Sequence, residues 1–319
     1  DGREDLFFLQ TVTNTTHTLH WIENLGKGKF SQVRQLSPIE DHTRATTVTD
    51  FDGDGDMDII SELSQEGALI WYENLGQGQF ADEEILLPNS GFEAYLKGHD
   101  FDGDGDIDLL AFRVSSTESA HFFENNGSAG ISNHYDVNIH KIGASTKIEL
   151  KDVDGDGHLD VIANKGTNEM RWWKNDGNDP LDFSLEIIDP ALGTPYFQSR
   201  DIDQDGDLDI MASSSGATKM LFWWPNTGNG QFGPLEVLKS DFSIQHFIID
   251  RIHQNDEWDV IGTRALKRGL YTFNLPMTTL NIQNEAQYPK PEDWIVDPTY
   301  VAVEDLDQDG QKDVIAIER

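Results

Sequence analysis

Asp50-Phe51-Asp52-Gly53-Asp54-Gly55-Asp56-Met57-Asp58 places five carboxylates in nine residues, and the pattern returns as Asp100 to Asp108, Asp152 to Asp160, Asp201 to Asp209 and Asp305 to Asp313. Carboxylates this close repel one another, so a folded chain keeps them together only around a cation. Asp alternating with Gly at a sharp turn suits a hard cation that takes oxygen ligands. The copies recur about every 50 residues, a period expected of propeller blades. A degenerate copy, Asp250 to Asp259, fills the one long gap. Counted from Asp250 it is one residue longer than the others and puts Arg251 and Ile252 where ligands belong, so no metal is expected there. Asp1 to Asp5 reads as the second half of a further loop, with Asp5 in the place of Asp58 and too few ligands for a site.

The residues after each loop repeat as well. A short apolar strand follows, as in Met57 to Leu63, Ile107 to Phe112, Leu159 to Ala163 and Leu208 to Ala212. An aromatic strand ending in Asn comes next: Trp21 to Asn24, Trp71 to Asn74, Phe122 to Asn125, Trp172 to Asn175 and Trp223 to Asn226. A Gly-rich turn such as Gly76-Gln77-Gly78 leads to a third strand, expected to carry Phe30, Phe80 or Phe232, and a fourth enters the next loop. Short strands between regular turn signals, with no helical period anywhere, predict an all-β fold: a β-propeller of four-stranded antiparallel blades. Residues 1–319 read as a single propeller domain with incomplete first and last blades, as in a fragment of a longer chain. Seven blades is the preferred count. Six is the alternative, in which Asp5 to Val12 and Asp313 to Glu318 compete for one strand position.

The Asp loops and the W-[WY]-E-N-x-G strands resemble the FG-GAP/VCBS repeats of bacterial secreted proteins, which are similar to the repeats of integrin α-subunit propellers and of some fungal lectins. The resemblance covers essentially the whole chain. It implies calcium in the loop joining the first and second strands of each blade. It implies no single activity, because such propellers serve in adhesion, sugar binding and polysaccharide degradation.

By the logic of a calcium loop, side chains at positions 1, 3 and 5 converge, Gly at 6 permits the turn and position 7 offers its carbonyl. The resemblance adds a closing carboxylate at position 9. The candidate ligands are therefore Asp50, Asp52, Asp54 and Asp58 with the carbonyl of Asp56; Asp100, Asp102, Asp104 and Asp108 with that of Asp106; and Asp152, Asp154, Asp156 and Asp160 with that of His158. Two further sets are Asp201, Asp203, Asp205 and Asp209 with the carbonyl of Asp207, and Asp305, Asp307, Asp309 and Asp313 with that of Gln311. A ring of many protein oxygens suits calcium better than magnesium. About five such ions, one per turn, read as structural rather than catalytic, since a catalytic metal keeps an open position.

The formal charge is −35, from 23 basic and 58 acidic residues. A divalent ion in each of five loops would bring it to roughly −25, still strongly acidic. Nucleic acid and an anionic membrane surface are disfavoured as partners. There is no cysteine, hence no disulfide and no thiolate zinc site. No apolar run is long enough to span a bilayer. These features suit a protein stapled by metal outside the cell or on its surface.

The strand entering each loop alternates. Counting back from the first Asp, positions −5, −3 and −1 are Tyr95, Lys97, His99; Lys147, Glu149, Lys151; Tyr196, Gln198, Arg200; and Tyr300, Ala302, Glu304. Positions −4 and −2 are mostly apolar and should pack against the neighbouring blade. Tyr95, Lys147, Tyr196 and Tyr300, with Arg44 nearby, would then ring the face opposite the loops and suit a sugar or an anionic polysaccharide. The plainer alternative is that they plug a channel and fill gaps between blades. Phe247 and Ile249, taken at these positions in the sixth unit, break the pattern. The tryptophans read as core between blades, with one of each neighbouring pair partly exposed. Sequons at Asn14-Thr15-Thr16 and Asn126-Gly127-Ser128 are common by chance.

No nucleophile elbow, phosphate loop or metal-spaced histidine pair is present. Two functions follow. One is a non-enzymatic binding or adhesion module for carbohydrate or a surface protein. The other is a polysaccharide lyase drawing its base and its cation from Tyr95, His99, Lys147, Tyr196 and Arg200.

Overall fold

The strand that enters each Asp loop and the strand that leaves it pair antiparallel, so the loop is the turn of a hairpin. His99 lies opposite Asp108, Lys151 opposite Asp160, Arg200 opposite Asp209 and Glu304 opposite Asp313. The computed structural model describes residues 3, 5–13, 17–27, 29–36, 42–63, 67–88, 95–112, 119–140, 147–165, 169–177, 182–189, 196–214, 219–242, 244, 246–252, 257–264, 267–275, 283–287, 298–306 and 309–318.

Among the described residues five repeats have all four strands, numbered here from repeat 2: repeats 3 to 6 are separate four-stranded sheets, and repeat 2 shares one sheet with the strands of repeat 1. Repeat 2 comprises His42–Thr49, Asp58–Leu63, Ala68–Tyr72 and Glu84–Leu87. Repeat 3 comprises Tyr95–His99, Asp108–Phe112, Ser119–Asn125 and Ile131–His140. Repeat 4 comprises Ile148–Lys151, Asp160–Lys165, Glu169–Asn175 and Phe183–Asp189. Repeat 5 comprises Tyr196–Arg200, Asp209–Ser213, Met220–Trp224 and Glu236–Ser240, and repeat 6 His246–Asp250, Trp258–Arg264, Lys267–Leu275 and Gln283–Gln287. Repeat 1 contributes Leu6–Thr11, His17–Ile22 and Arg34–Gln35, and repeat 7 contributes Pro298–Glu304 and Asp313–Glu318. Among the described residues no helix is long and apolar enough to cross a membrane. The chain is thus all-β and built of propeller blades.

It divides into two compact units, residues 1–144 with 175–184, and residues 145–174 with 185–319. In the first, Ile60, Leu69 and Trp71 of repeat 2 pack with Leu96, Leu109 and Phe123 of repeat 3. In the second, Ile162 and Trp172 of repeat 4 meet Phe197, Ile210 and Phe222 of repeat 5. Met211 and Trp223 of repeat 5 meet Phe247, Val260 and Phe273 of repeat 6. The second strand of a blade is covered on both faces, and Asp58–Leu63 is buried throughout. Each large apolar side chain removed from water in this way contributes about 1.5–3 kcal/mol.

Two expectations are corrected. Phe80 and Phe232 do not lie in the outer strand: each forms a single bridge, with Asn74 and Asn226, that closes the Gly turn, and the outer strand starts a few residues later. Phe30 pairs with Asn24 in the same way. The tryptophan pairs have no exposed member either: of Trp21, Trp71, Trp172, Trp173, Trp223 and Trp224, the most exposed is Trp71 at 8%. The turn explains why. A Cβ at Gly78 would lie 2.2 Å from the Trp21 ring, and Phe80 meets that ring edge-on at 6.2 Å. Gly230 and Phe232 cover Trp172 likewise, at 2.1 and 6.5 Å. The Gly-rich hairpin of one repeat is therefore the lid on the tryptophan of the repeat before it.

Candidate functional site

Position 9 is buried in the loops of repeats 2 to 5, where Asp58, Asp108, Asp160 and Asp209 are all 0% exposed. Its carboxylate holds the loop by accepting backbone N–H groups from both sides. One oxygen accepts from position 2: Phe51 and Phe101 at 3.1 Å, Val153 at 3.0 Å, Ile202 at 2.7 Å and Leu306 at 3.0 Å. The other accepts from the Asn that ends the aromatic strand: Asn74 at 2.7 Å, Asn125 at 2.9 Å and Asn226 at 2.8 Å. Asp5 takes the same place in repeat 1, accepting from Asn24 at 2.7 Å. Asp1 lies outside the described residues.

That Asn does more than end a strand. Its side-chain amide donates to the carbonyl of position 8 in its own loop, from Asn125 to Ile107 at 3.0 Å and from Asn226 to Leu208 at 3.2 Å. It also donates to position 2 of the preceding loop, from Asn125 to Phe51 at 2.8 Å and from Asn226 to Val153 at 2.9 Å. Its side-chain oxygen accepts from the Gly two residues on, as with Gly76 and Gly228 at 3.1 Å. Sequence reasoning passed over this pin, although Asn recurs at a fixed offset in five repeats.

Positions 1 to 7 form the cation seat, joined in repeats 3 to 5 by the position-9 carboxylate. The N–H of the position-6 Gly donates to the position-1 carboxylate: Gly55 to Asp50 and Gly105 to Asp100 at 3.1 Å, Gly157 to Asp152 at 3.0 Å, Gly206 to Asp201 at 3.2 Å and Gly310 to Asp305 at 2.9 Å. These glycines have φ between +85° and +103°, a region other residues avoid. Side-chain oxygens of Asp50, Asp52 and Asp54 lie within 4.8 Å of one another, and so do those of Asp100, Asp102 and Asp108, of Asp152, Asp154 and Asp160, and of Asp201, Asp203 and Asp209. Two oxygens on one calcium lie at most about 5 Å apart, so the spacing fits. The buried Oδ1 atoms of Asp50, Asp154 and Asp201 have no hydrogen-bond partner in the protein, as expected of ligand oxygens. These Asp clusters are thus able to hold metal ions.

Asp54, Asp104, Asp156, Asp205 and Asp309 at position 5 each accept the N–H of position 7, from Asp56, Asp106, His158, Asp207 and Gln311. The carboxylates of Asp56, Asp106 and Asp207 turn toward Gly76, Gly127 and Gly228, which leaves the main-chain carbonyl as the group position 7 offers the seat. In the fifth loop Asp305, Asp309 and Asp313 keep the same bonds, and Asp307 lies outside the described residues.

The seats are electrostatically strained without a cation. Burial pushes Asp108 and Asp209 up to about 7 against opposing backbone hydrogen bonds, and neighbouring carboxylates add to the rise. Burial also raises Asp58, Asp102 and Asp203.

Two loops depart from this scheme. In repeat 6, Ile252 donates to Asp259 at 3.0 Å as position 2 does elsewhere, and Asp250 pairs with Asp259 where Arg200 pairs with Asp209. The loop therefore runs from Arg251 to Asp259 and has the common length. The expected extra residue came from taking Asp250 for the first ligand. Asp250 instead ends the inner strand and pairs with Lys312 at 3.1 Å. Arg251 stands at position 1, its guanidinium 4.5 Å from the Trp258 ring. Residues 253–256 lie outside the described residues. In repeat 4 the loop is acidic, but Lys174 Nζ is paired with Asp154 Oδ2 and lies 3.4 Å from Asp156 Oδ2.

The inner strands hold a second cluster. Lys147 Nζ donates to Phe197 O at 2.8 Å and to the Tyr196 hydroxyl at 3.3 Å, and it pairs with Glu149 at 2.5 Å. Glu149 also accepts the Ser199 N–H at 2.9 Å and its hydroxyl at 2.5 Å. The register found for repeat 6 places His246 at position −5 and moves Phe247 and Ile249 out of positions −3 and −1; the His246 ring meets Tyr196 edge-on at 5.0 Å. Phe247 and Ile249 are buried core, which corrects their placement in the polar set. Tyr196 is pushed up to about 12 by burial and by Glu149. Burial, then Lys147, lowers His246. Of the candidate ligand residues the structure brings Lys147 and Tyr196 together. Tyr95 starts the inner strand of repeat 3, half-buried, in the other compact unit. Arg44 falls in the strand His42–Thr49 one residue before position −5, which is the buried Ala45. The side chains of Arg44 and Tyr300 lie outside the described residues.

A cleft of about 680 Å³ opens on the loop side of repeats 1 and 2, lined by Arg3, Asp5, Phe7, Trp21, Asn74 and Phe80 among others. In repeat 2 the corresponding space beside Trp71 holds Phe51, edge-on at 6.2 Å.

The chain is similar to the crystal structures of BBS1N in complex with ARL6DN, soaked with lead or with mercury. Against the first the identity is 9% and the TM-score 0.41, covering 89% of this chain and 91% of that one; against the second the values are 9%, 0.42, 89% and 92%. No curated protein matches. The FG-GAP-like repeat matches residues 1–61, 50–111, 100–163 and 152–212, about two thirds of the sequence, with successive matches sharing one Asp loop. The chain belongs to the FG-GAP-like repeat family.

Proposed function

We propose that this protein is a calcium-stabilised array of propeller blades that works outside the cell as a binding or adhesion module, with carbohydrate or a surface protein as its partner. The observation that carries the calcium reading is the convergence of three carboxylates, repeated with the same hairpin geometry in four loops. Among the described residues a basic side chain pairs with the seat in repeat 4 alone, so in repeats 2, 3 and 5 the ion supplies the charge neutralisation. If calcium stands a hundredfold above Kd, each filled site adds about 2.7 kcal/mol of stability. Calorimetric titration with calcium should give several bound ions per chain, and EDTA should lower the melting temperature. An unchanged melting curve in excess EDTA sinks the reading.

The ligand face is proposed at the inner strands of the second unit, around Lys147 and Tyr196. Lys147 is matched by Glu149 and already bonded to Phe197 and Tyr196, so this cluster is suited to neutral hydroxyl or amide groups rather than to a uronate carboxylate. Tyr196, shifted up to about 12, is a poor base near neutral pH, which favours the binding module over the lyase. A glycan array with and without calcium, followed by an assay for unsaturated uronates, separates the two. Formation of such a product, lost in Lys147→Ala, overturns the preference.

A further inference from the structure

We propose that Lys174 is an internal counter-cation that sets the calcium affinity of the repeat 4 loop, making Asp152 to Asp160 the weakest of the intact seats. The inference rests on the calcium reading above. Its basis is a substitution within an otherwise regular motif. The residue just before the pinning Asn is Glu23, Glu73 and Glu124 in repeats 1, 2 and 3, and Lys174 in repeat 4. The position borders the seat: in repeat 3 the Glu124 carboxylate is close enough to repel Asp102 at position 3. Inverting its charge therefore acts directly on the ligands, and the ammonium of Lys174 reaches Asp154 and Asp156, the ligands at positions 3 and 5.

The seat itself is intact. Asp152, Asp154 and Asp160 still converge within 4.8 Å, and Gly157 still donates to Asp152 at 3.0 Å. Asp154 has a side chain only 5% exposed, with one oxygen held by Lys174 and the other, Oδ1, buried without a hydrogen-bond partner. An unpartnered oxygen in so dry a place marks a ligand position. Calcium entering here must displace the ammonium from Asp154 and work against its charge. The Lys174 side chain is 28% exposed, so its long stem can swing the ammonium into water once displaced. Elsewhere the array uses the opposite extreme: in repeat 6 a cation, Arg251, is written into position 1 itself. Repeat 4 lies between that loop and the fully acidic ones, and it would fill last and empty first as calcium changes.

The test compares calcium titrations of the whole protein with those of Lys174→Glu and Lys174→Gln, followed by calorimetry and by terbium luminescence sensitised through tryptophan. The wild type should show a weak class of sites that Lys174→Glu moves into the tight class, with Kd falling by about tenfold or more, and Lys174→Gln should fall between. Glu is the residue that three other repeats carry at this position, and Gln removes the charge with little change of size, so at least one variant should fold. Isotherms of both folded variants that superpose on the wild type overturn the role of Lys174 while leaving calcium binding intact. Absence of binding in all three proteins overturns the calcium reading and this inference with it.

Discussion

The loops of repeats 5 and 6 have one backbone design and opposite charge at its head. Ile202 donates to Asp209 at 2.7 Å and Ile252 donates to Asp259 at 3.0 Å. Arg200 faces Asp209 and Asp250 faces Asp259 across the same hairpin rung. Yet position 1 is Asp201 in one and Arg251 in the other. The difference separates two jobs that the acidic motif merges. The buried Asp at position 9 shapes the loop, and it does so whether or not the head of the loop is acidic. The carboxylates at positions 1, 3 and 5 serve the ion, whereas the position-9 carboxylate both anchors the loop and, in repeats 3 to 5, converges on the seat.

The largest effect expected from this division is that the anchor matters equally in both loops. Asp209→Ala leaves the Ile202 and Asn226 N–H groups without their acceptor, and Asp259→Ala does the same to Ile252 and the side chain of Asn274. Each should cost about 2–6 kcal/mol, from two donors, buried at Asp209 and part-buried at Asp259, at roughly 1–3 kcal/mol apiece. Denaturant unfolding in calcium and in EDTA checks it. A loss at Asp259 below about a third of that at Asp209 would show that the anchor depends on the ion after all.

A smaller effect separates the loops by pH. Without calcium, burial holds Asp108 and Asp209 at about 7 in the folded protein, against 3.8 ordinarily. The folded state then binds more protons than the unfolded chain between these values, so stability falls as pH rises from about 4 to about 7. Bound calcium favours the charged carboxylates and removes that fall. Melting temperatures across this range, with and without calcium, should diverge as pH rises. Parallel profiles would mean that these carboxylates do not face the ion.

The sequence made the Asp loop and its period legible because each copy states its own geometry: ligand spacing and an obligatory Gly sit within nine residues. The blade order followed from the alternation of strand and turn signals. Long-range roles were harder to read. The Asn of the aromatic strand bonds a loop 73 or 74 residues earlier, a distance no local pattern encodes. The repeat 6 register was misread because Asp250 imitates a first ligand, and only the pairing of Asp250 with Asp259 exposes Arg251 as the true head of the loop. Lys174 carries no local motif, and only the fold sets its ammonium against the ligands Asp154 and Asp156.

The smallest effect concerns the head of the repeat 6 loop. Arg251→Gln removes a guanidinium from the face of Trp258, an exposed cation–π contact worth about 0.5–1 kcal/mol. Because Arg251 stands where an ion would need a carboxylate, the loss should be the same in calcium and in EDTA. Asp201→Asn, at the same position of repeat 5, should behave differently: it should cost more in calcium than in EDTA, since it weakens the seat only when an ion would otherwise fill it. Equal losses for Asp201→Asn in the two buffers would mean that the acidic head of the loop, like Arg251, acts through the protein alone.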